Sequence, residues 1–207
     1  VAPQAGSPPA IPPSAELEAR GAVIGEVHIA VGDVFDTSID GEDGWLYRTA
    51  NKLHINTREQ VVRDQLLFKP GEPYDDRVVR ETERLLRAND YMYDAVIVPV
   101  AYDGERVDLE VRTRDVWTLN PGISFSRKGG ENTLGAQIQE DNLFGTGRSL
   151  DFEWDDNVDR TSYGVNSLDP HFLHSVTRFG VGYPDADDGN TRSLQLDRPF
   201  YALDVRR

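Results

Sequence analysis

Residues 95–113, AVIVPVAYDGERVDLEVRT, decide the fold of the first half of the chain. Two runs with alternating apolar residues flank Asp103-Gly104, a pair typical of a tight hairpin turn because glycine accepts positive φ angles. The stretch therefore predicts two antiparallel strands, at 95–101 and 107–113. Their alternating apolar residues are Val96, Val98 and Val100 in the first strand and Val107, Leu109 and Val111 in the second.

Upstream of this hairpin the sequence predicts one strand followed by two helices. Residues 23–34 alternate apolar and polar side chains with the period of a half-buried strand. Thr57, with Gln60 three positions later, forms a predicted capping box at the start of the first helix. Asp75 or Asp76 starts the second helix, in which apolar residues recur at helical spacing.

The order strand, helix, helix, strand, strand over residues 23–117 predicts a compact α+β domain. Residues 45–53, between the first strand and the first of these helices, predict an additional short helix that presents Trp45, Leu46, Ala50 and Leu53. We expect the aromatic side chains in the core or at the domain boundary rather than on a ligand platform, namely Trp45, Tyr91 and Trp117.

After Trp117 the helical pattern ends and short alternating strands follow, at 119–127, 133–141, 148–154, 161–167, 176–183 and 193–203. One side of these predicted strands is apolar or aromatic and the other is small or polar. Such alternation fits a barrel wall with lipid outside and water inside. It fits half of a soluble β-sandwich or barrel equally well, and the pattern alone favours neither.

The composition argues against several classes of protein. With 36 acidic and 22 basic residues the net charge is −14, which opposes nucleic-acid binding by clustered basic residues. The absence of cysteine excludes disulfides and thiolate chemistry. Residues 1–22 begin with a proline-rich stretch that cannot bury enough apolar surface to offset its ordering entropy. We expect a disordered tether there, with a proline-motif ligand as the alternative.

No catalytic, cofactor or metal site is predicted. The sequence lacks a Gly-x-Ser-x-Gly motif and a phosphate-binding glycine loop. His171 and His174 are three residues apart, but the residues between them favour a strand, so a zinc site is not expected. The acidic clusters at 36–43 and 185–189 lack EF-hand order and are expected to be solvated turns, with adventitious calcium as the alternative.

Five segments of 23–117 resemble a POTRA domain, a family whose element order is strand, helix, helix, strand, strand. The segments are 27–32 (VHIAVG), 57–63 (TREQVVR), 69–74 (KPGEPY), 85–91 (LLRANDY) and 107–111 (VDLEV). The stretch 36–53 is long for the connection between the first POTRA strand and the first helix, and a single POTRA unit is present where barrel-assembly members carry several.

Three later segments resemble outer-membrane barrels of the bacterial surface antigen family, which includes barrel-assembly and two-partner secretion proteins. They are 140–147 (EDNLFGTG), 169–172 (DPHF) and 198–204 (RPFYALD). The family's Arg-Gly-Phe/Tyr motif is not found in the sequence. The chain therefore resembles the N-terminal part of a larger protein, in which that motif would lie beyond Arg207.

The resemblance implies a POTRA-like periplasmic domain over 23–117, followed over 118–207 by the first strands of an incomplete outer-membrane β-barrel. It implies a location in the bacterial outer membrane and a role in inserting or translocating polypeptides, without enzymatic activity or a cofactor. The implied partners are unfolded outer-membrane or secreted polypeptides, periplasmic proteins and outer-membrane lipid.

Under this hypothesis the second POTRA strand is a sheet edge that binds client or partner chains by β-augmentation, and the client then passes to the first barrel strand. Pro99 removes one donor from that edge. The expected edge residues are Val96, Ile97, Val98, Val100 and Ala101. Those of the first barrel strand are Leu119, Ile123 and Phe125, and those of the family turn motif are Asn142, Leu143, Gly145 and Gly147.

Other functions stay open. The barrel could be a structural or transport pore with the POTRA unit as a periplasmic spacer, plug or protein-interaction module. An upstream enzyme fused to the same pair, as in patatin-like members, is a third possibility, against which the proline-rich start argues. The predicted edge could also pack only on the barrel rim or on residues 36–53. Open strand edges predict that residues 118–207 associate with a second copy or curl into a small closed sheet.

Overall fold

The structure contains two β-sheets that follow one another along the chain. The computed structural model describes residues 11–35, 37, 44–128, 130–157 and 159–199. A three-stranded sheet covered by helices on one face comes first, and an open antiparallel sheet of seven strands follows. This arrangement confirms the predicted α+β unit followed by an all-β meander.

The first unit contains three strands in the spatial order β1-β3-β2. Strand β1 lies parallel to the central strand β3, and β2 lies antiparallel to it. The elements are α1 (Ser14–Ala19), β1 (Val23–Gly32), α2 (Trp45–Leu53), α3 (Glu59–Arg63), α4 (Asp76–Arg87), β2 (Met92–Tyr102) and β3 (Arg106–Asp115).

The predicted hairpin between β2 and β3 is confirmed. Gly104 has a φ of 106°, and the Asp103 carboxylate accepts hydrogen bonds from the backbone N–H groups of Glu105 and Arg106. These two bonds favour the ionised carboxylate and lower the pKa of Asp103. The start of α4 is confirmed as well, because Asp75 is its N-cap and accepts from the N–H groups of Arg77 and Val78.

The predicted capping box at Thr57 is wrong. Helix α3 is only five residues long, its N-cap is Arg58, and no side chain caps it. The Thr57 hydroxyl instead donates to the carboxylate of Asp115, which lies 58 positions later in the sequence. A buried acceptor from another element has replaced the local partner that the sequence offered.

Strand β2 turns its alternating valines away from the core. Val96 and Val100 are exposed, whereas Ala95 and Ile97 are buried beneath the helices. The sequence 95–101 is apolar on both sides of the strand, so its alternation does not determine which side packs. The helices cover the Ala95 and Ile97 side, where Val107, Leu109 and Val111 of β3 are fully buried.

The N-terminal segment differs from the tether expected over residues 1–22. Ser14–Ala19 form α1, which packs against α4 and buries Leu17 completely in the core. Pro13 precedes the helix, and Gly21 follows it with a φ of 67°, an arrangement common at helix ends. Residues 1–10 of the expected tether lie outside the described residues.

The second sheet follows Trp117 after a short link, and consecutive strands pair in sequence order. The strands are β4 (Leu119–Lys128), β5 (Glu131–Glu140), β6 (Ser149–Asp156), β7 (Thr161–Phe172), β8 (Thr177–Ala186), β9 (Gly189–Asn190) and β10 (Ser193–Asp197). A single-turn 3-10 helix, Leu143–Gly145, connects β5 to β6. Strand β9, which pairs with the end of β8, was not predicted, because two residues carry no alternation.

The seven-stranded sheet is open. Its path runs β10-β8-β7-β6-β5-β4, and over residues 119–199, except for positions 129 and 158, β4 and β10 remain as its two edges. The predicted alternative of a small closed sheet is therefore not formed in this part of the chain. Association with a second copy stays a prediction. The last part of the predicted sixth strand, residues 200–203, lies outside the described residues.

We predict that Leu17→Ala destabilises the first unit by about 3 kcal/mol, because it removes a fully buried side chain and leaves a cavity. Urea unfolding followed by tryptophan fluorescence measures this change. Glu18→Ala, at an exposed position of the same helix, is the matched control and should change the free energy of unfolding by less than about 0.5 kcal/mol. Equal effects of the two substitutions would show that α1 is not part of the folded core.

Candidate functional site

The second sheet has one continuous apolar face. Directly paired residues of neighbouring strands lie on the same face, and the pairing places the large apolar side chains together. Ile123 and Phe125 of β4 are 86% and 69% exposed. The apolar face consists of Leu119, Pro121, Ile123, Phe125, Leu134, Ala136, Ile138, Leu150, Phe152, Trp154, Tyr163, Val165, Phe179, Val181, Tyr183, Leu194 and Leu196.

The opposite face of this sheet is polar. Across β4 to β7, for example, one row of paired residues reads Asn120, Gln139, Asp151 and Asn166. A neighbouring row pairs Gln137 with Glu153. The two faces thus differ strongly. A continuous apolar face is unusual on soluble proteins, whose exposed apolar patches rarely exceed a few hundred Å².

All three residues predicted for the first barrel strand lie on β4. Leu119, Ile123 and Phe125 belong to the apolar face, and β4 is an edge of the sheet. The spacing of 119, 123 and 125 by even numbers of residues places the three side chains on one face of β4. Their role as the first barrel strand stays a prediction.

The predicted edge residues Val96, Ile97, Val98, Val100 and Ala101 all lie on β2, which is an edge of the three-stranded sheet. They do not share one surface. Ile97 is buried under α4, whereas Val96 and Val98 lie on the open face of the sheet, in rows with Ala30 and His28 of β1. Ala101 lies at a register shift after Pro99.

Charged side chains form hydrogen bonds with backbone groups on the outer edge of β2. The Ile97 N–H donates to Glu83 at 2.7 Å, and the carbonyl oxygen of Ala95 accepts from the Arg87 guanidinium at 2.5 Å. The Ala95 N–H donates to Asp94. Because hydrogen-bonding direction alternates along an antiparallel strand, the same side carries the Ile97 and Pro99 carbonyls. The edge is thus partly capped, by α4 and by the strand itself.

The opposite edge of the sheet, β1, is paired over its first part. A backbone bridge joins Val23 to Pro73, and Ile24 exchanges hydrogen bonds with Gly71 and Glu72. This covering by the segment before α4 leaves β2 as the edge with less backbone pairing.

A buried carboxylate joins the two sheets. Asp115, at the end of β3, is fully buried, and its Oδ2 accepts from the Thr57 N–H at 2.6 Å and the Thr57 hydroxyl at 3.0 Å. The Nε2 of His54, which follows α2, lies 3.0 Å from the same oxygen. Asn142, from the second sheet, donates its Nδ2 to the Thr57 hydroxyl at 2.8 Å. We call Asp115, His54, Thr57 and Asn142 the junction network.

The predicted turn motif is one of the parts of the second sheet that contact the first unit. Asn142 Oδ1 accepts from the Gly147 N–H at 2.7 Å, which closes the turn. The carbonyl oxygens of Phe144 and Gly145 accept from the side chain and the backbone N–H of Arg58, respectively. Leu143 pairs with Arg148 across the turn through its backbone N–H. The motif therefore serves as a docking element as well as a turn.

Two glycines of this motif permit close approach of the units. Gly145 has a φ of 70°, and a Cβ there would lie 2.3 Å from the carbonyl oxygen of Asn56. A Cβ at Gly147, with a φ of 69°, would lie 3.0 Å from the hydroxyl of Tyr91. The first of these distances excludes any side chain without movement of the backbone.

Sequence reasoning found the turn but missed its partners. Arg58 binds the turn from a position 86 residues earlier in the sequence. Asp115 and His54 are linked to the turn through Thr57. No local sequence pattern marks these three residues as its partners. The aromatic predictions divide: Tyr91 is buried and Trp117 is half-buried at the junction, but Trp45 is exposed. The expectation for Trp45 is wrong because α2 turns its apolar face outward.

Residues 54–116 match the sequence model of the POTRA family, described as a surface antigen variable number repeat. The first unit is a POTRA domain. The matched range begins after α2, so the helix of residues 45–53 lies outside the part that the family model recognises.

Two curated relatives, both named outer membrane protein assembly factor BamA, resemble the chain at low identity. The protein from Buchnera aphidicola is 22% identical over 134 residues, which cover 63% of this chain and 21% of the relative. The protein from Neisseria meningitidis serogroup B is 27% identical over 157 residues, which cover 70% of this chain and 19% of the relative. The chain thus spans about a fifth of the length of these relatives.

Two solved structures share the fold. BamA from Haemophilus ducreyi lacking POTRA domains 1–3 superposes with a TM-score of 0.51 at 19% identity, covering 78% of this chain and 27% of that one. CdiB from Acinetobacter baumannii gives a TM-score of 0.55 at 14% identity, covering 89% of this chain and 35% of that one. The predicted resemblance to POTRA–barrel proteins is confirmed by these matches.

Other predicted candidates have simpler surroundings. His174 lies in the turn after β7 and pairs with Asp64. Within the described ranges, no group of three or more His, Asp or Glu side chains forms a metal-binding cluster. No helix in the described part of the chain is long and apolar enough to cross a membrane. Positions 36 and 38–43, which hold the first acidic cluster, lie outside the description.

We predict that Gly145→Ala loosens the junction, because the new methyl group would displace the backbone at Asn56. Hydrogen–deuterium exchange of the Arg58 amide, which donates to Gly145, should become at least tenfold faster. Gly130→Ala is the matched control, since Gly130 also has a positive φ but open space around it. Unchanged exchange at Arg58 in Gly145→Ala would contradict the close docking.

We predict that Asp115→Ala lowers the free energy of unfolding by about 3 kcal/mol, because the buried Thr57 N–H loses its acceptor. Asp115→Asn keeps one carbonyl oxygen and should cost about half as much. Urea unfolding followed by tryptophan fluorescence measures both. Combining Asp115→Ala with His54→Ala should cost less than the sum of the single changes, since the two residues share one interaction. Strict additivity would exclude the network.

Proposed function

We propose that this chain belongs to an outer-membrane protein that helps insert or translocate polypeptides. In this proposal the seven-stranded sheet is part of a barrel wall, the POTRA domain lies in the periplasm, and the role is non-enzymatic. The proposed domain limits are those expected from the sequence, except that α1 packs with the POTRA domain. Similarity of fold to the BamA and CdiB structures supports the proposed order of a POTRA domain followed by barrel strands.

The observation that carries the proposal is the division of the second sheet into one apolar and one polar face. In the hydrocarbon region of a membrane, lipid covers apolar side chains and a polar interior faces water. Strands β4, β5 and β8 have ten residues each. That length suits a tilted transmembrane strand of roughly 9–11 residues. A soluble sandwich would require a second apolar layer, and none covers this face within residues 119–199 as described.

We further propose that the client binds at β2. This strand is a sheet edge, and its exposed Val96 and Val100 form an apolar stripe beside it. An extended polypeptide could pair with the Ile97 and Pro99 carbonyls and would have to displace Glu83 from the Ile97 N–H. The capping by Glu83 and Arg87 favours the alternative that the POTRA domain is a spacer with a protected edge.

Photo-crosslinking to a urea-denatured outer-membrane β-barrel polypeptide, diluted onto the folded chain, separates these possibilities. A photoreactive amino acid replaces Val100, next to the edge. If β2 binds the client, Val96→Lys with Val98→Lys should reduce crosslinking at least fivefold, because charged side chains on an edge oppose strand pairing. Glu83→Ala with Arg87→Ala should increase it, because the backbone groups of the edge are released.

Ala30→Lys with His28→Lys is the matched control, because these residues lie in the same two rows of the sheet but on its other edge. Crosslinking should be unchanged in that variant. If crosslinking responds to neither the Val96 and Val98 variant nor the Glu83 and Arg87 variant, docking at β2 is excluded and the spacer function is favoured. Val98→Pro would not separate these possibilities, because the Val98 N–H faces β3 and its loss would break the sheet.

A further inference from the structure

Helix α2 exposes an apolar side that the POTRA core does not use. None of its nine residues is buried. Trp45, Leu46 and Leu53 are 73%, 60% and 70% exposed, and they lie on one side of a helix with about 3.6 residues per turn. A soluble domain normally turns that side of a helix toward its core.

The helix is nevertheless held firmly by its other side and its ends. Asn51 forms two hydrogen bonds with the backbone of Phe35, one through its oxygen and one through its amide nitrogen. The Tyr47 ring packs edge-on against the Phe35 ring at 4.8 Å. His54, directly after the helix, lies in the junction network. These contacts fix the inner side, so the exposure of the apolar side is a property of the fold.

The segment directly after α2 lies next to the end of the second sheet that contacts the POTRA domain. Ile55, two residues after Leu53, is exposed and lies close to Gly145. Phe144, which precedes Gly145 in the β5–β6 turn, is 62% exposed. Ile55 and Phe144 thus place exposed apolar side chains where β5 ends and β6 begins.

The charge of α2 differs from that of the whole chain. The helix carries Arg48 and Lys52 and no acidic residue, in a protein with a net charge of −14. Both basic side chains are exposed, on the flank beside Trp45. Tryptophan and leucine on one side of a helix, with flanking basic residues, are typical of helices that lie in a lipid interface.

We propose that α2, with Ile55 and Phe144, rests on the phospholipid surface at the foot of the barrel wall. Trp45, Leu46 and Leu53 would enter the boundary between headgroups and acyl chains, while Arg48 and Lys52 would contact lipid phosphates. The inference rests on the proposed membrane location of the second sheet. It assigns α2 a positioning role, because a helix held to lipid on one side and to Asp115 on the other would fix the orientation of the POTRA domain.

Single-cysteine labelling tests this placement, because the chain has no cysteine of its own. Leu46→Cys, labelled with the environment-sensitive dye NBD, reports on α2. Ile123→Cys reports on the apolar face of the second sheet, and Lys69→Cys reports on the far end of the POTRA domain. The full 207-residue chain is mixed with vesicles of phosphatidylethanolamine and phosphatidylglycerol, with or without lipids brominated near the headgroup.

We expect the labels at positions 46 and 123 to shift their emission to shorter wavelength and to be quenched at least twofold by brominated lipid, and the label at 69 to stay unchanged. Lipid contact at 123 without contact at 46 would overturn the inference and leave the proposed function standing. If neither the label at 46 nor the label at 123 contacts lipid, the result would count against both the inference and the proposed function. A shift at 46 without vesicles, together with a doubled mass in light scattering, would assign α2 to a second copy of the chain and overturn the inference.

Charge variants provide an independent readout. Replacing Arg48 and Lys52 with glutamine should shift the local equilibrium between lipid-bound and free helix about 30-fold toward the free form, since each basic residue near a charged membrane contributes about 1 kcal/mol. Lys69→Gln with Arg106→Gln removes the same charge at the opposite end of the sheet and should leave quenching at position 46 unchanged. Equal effects of the two pairs would contradict a specific role of α2.

Discussion

The arrangement of the two sheets depends on one buried carboxylate. Asp115 ends the central strand of the POTRA domain, and its Oδ2 gathers the Thr57 backbone, the Thr57 hydroxyl and His54. A buried carboxyl group requires such partners, because a polar group without hydrogen-bond partners is destabilising in a dry environment. The same oxygen therefore fixes the start of α3, the residue after α2 and, through Thr57, the Asn142 turn. The second sheet begins only a few residues after Asp115, at Leu119.

The two halves of the molecule solve different physical problems. The POTRA domain buries its apolar residues internally, between three strands and the helices that cover them. The second sheet instead leaves its apolar residues on one exposed face and its polar residues on the opposite face, the division on which the proposed membrane location rests. Average composition conceals this difference, because half of every such strand is polar. The junction network and the glycine-containing turn at 142–147 hold the POTRA domain and the second sheet in contact.

Local patterns sufficed for the elements whose partners are close in sequence. The Asp103-Gly104 hairpin, the Asp75 cap of α4 and the strands of the meander follow from turn chemistry and alternation. The side of β2 that packs could not be predicted, because 95–101 is apolar on both sides and the choice belongs to the helices. The predicted Thr57 capping box is wrong because of a partner distant in sequence: the Thr57 hydroxyl donates to Asp115 instead of capping the helix. Helix α1 was missed because proline content outweighed the signal of Pro13 and Gly21 at its ends.

The capped edge of β2 makes any docking there an exchange of partners. Glu83 and Arg87 already satisfy two backbone groups of the strand, so an incoming strand gains its new hydrogen bonds only by giving up existing ones. The net free energy of such an exchange is small, and the displaced side chains remain tethered beside the strand, ready to return. A surface of this kind suits brief contact and rapid release, whereas a bare edge would hold a chain tightly or nucleate aggregation.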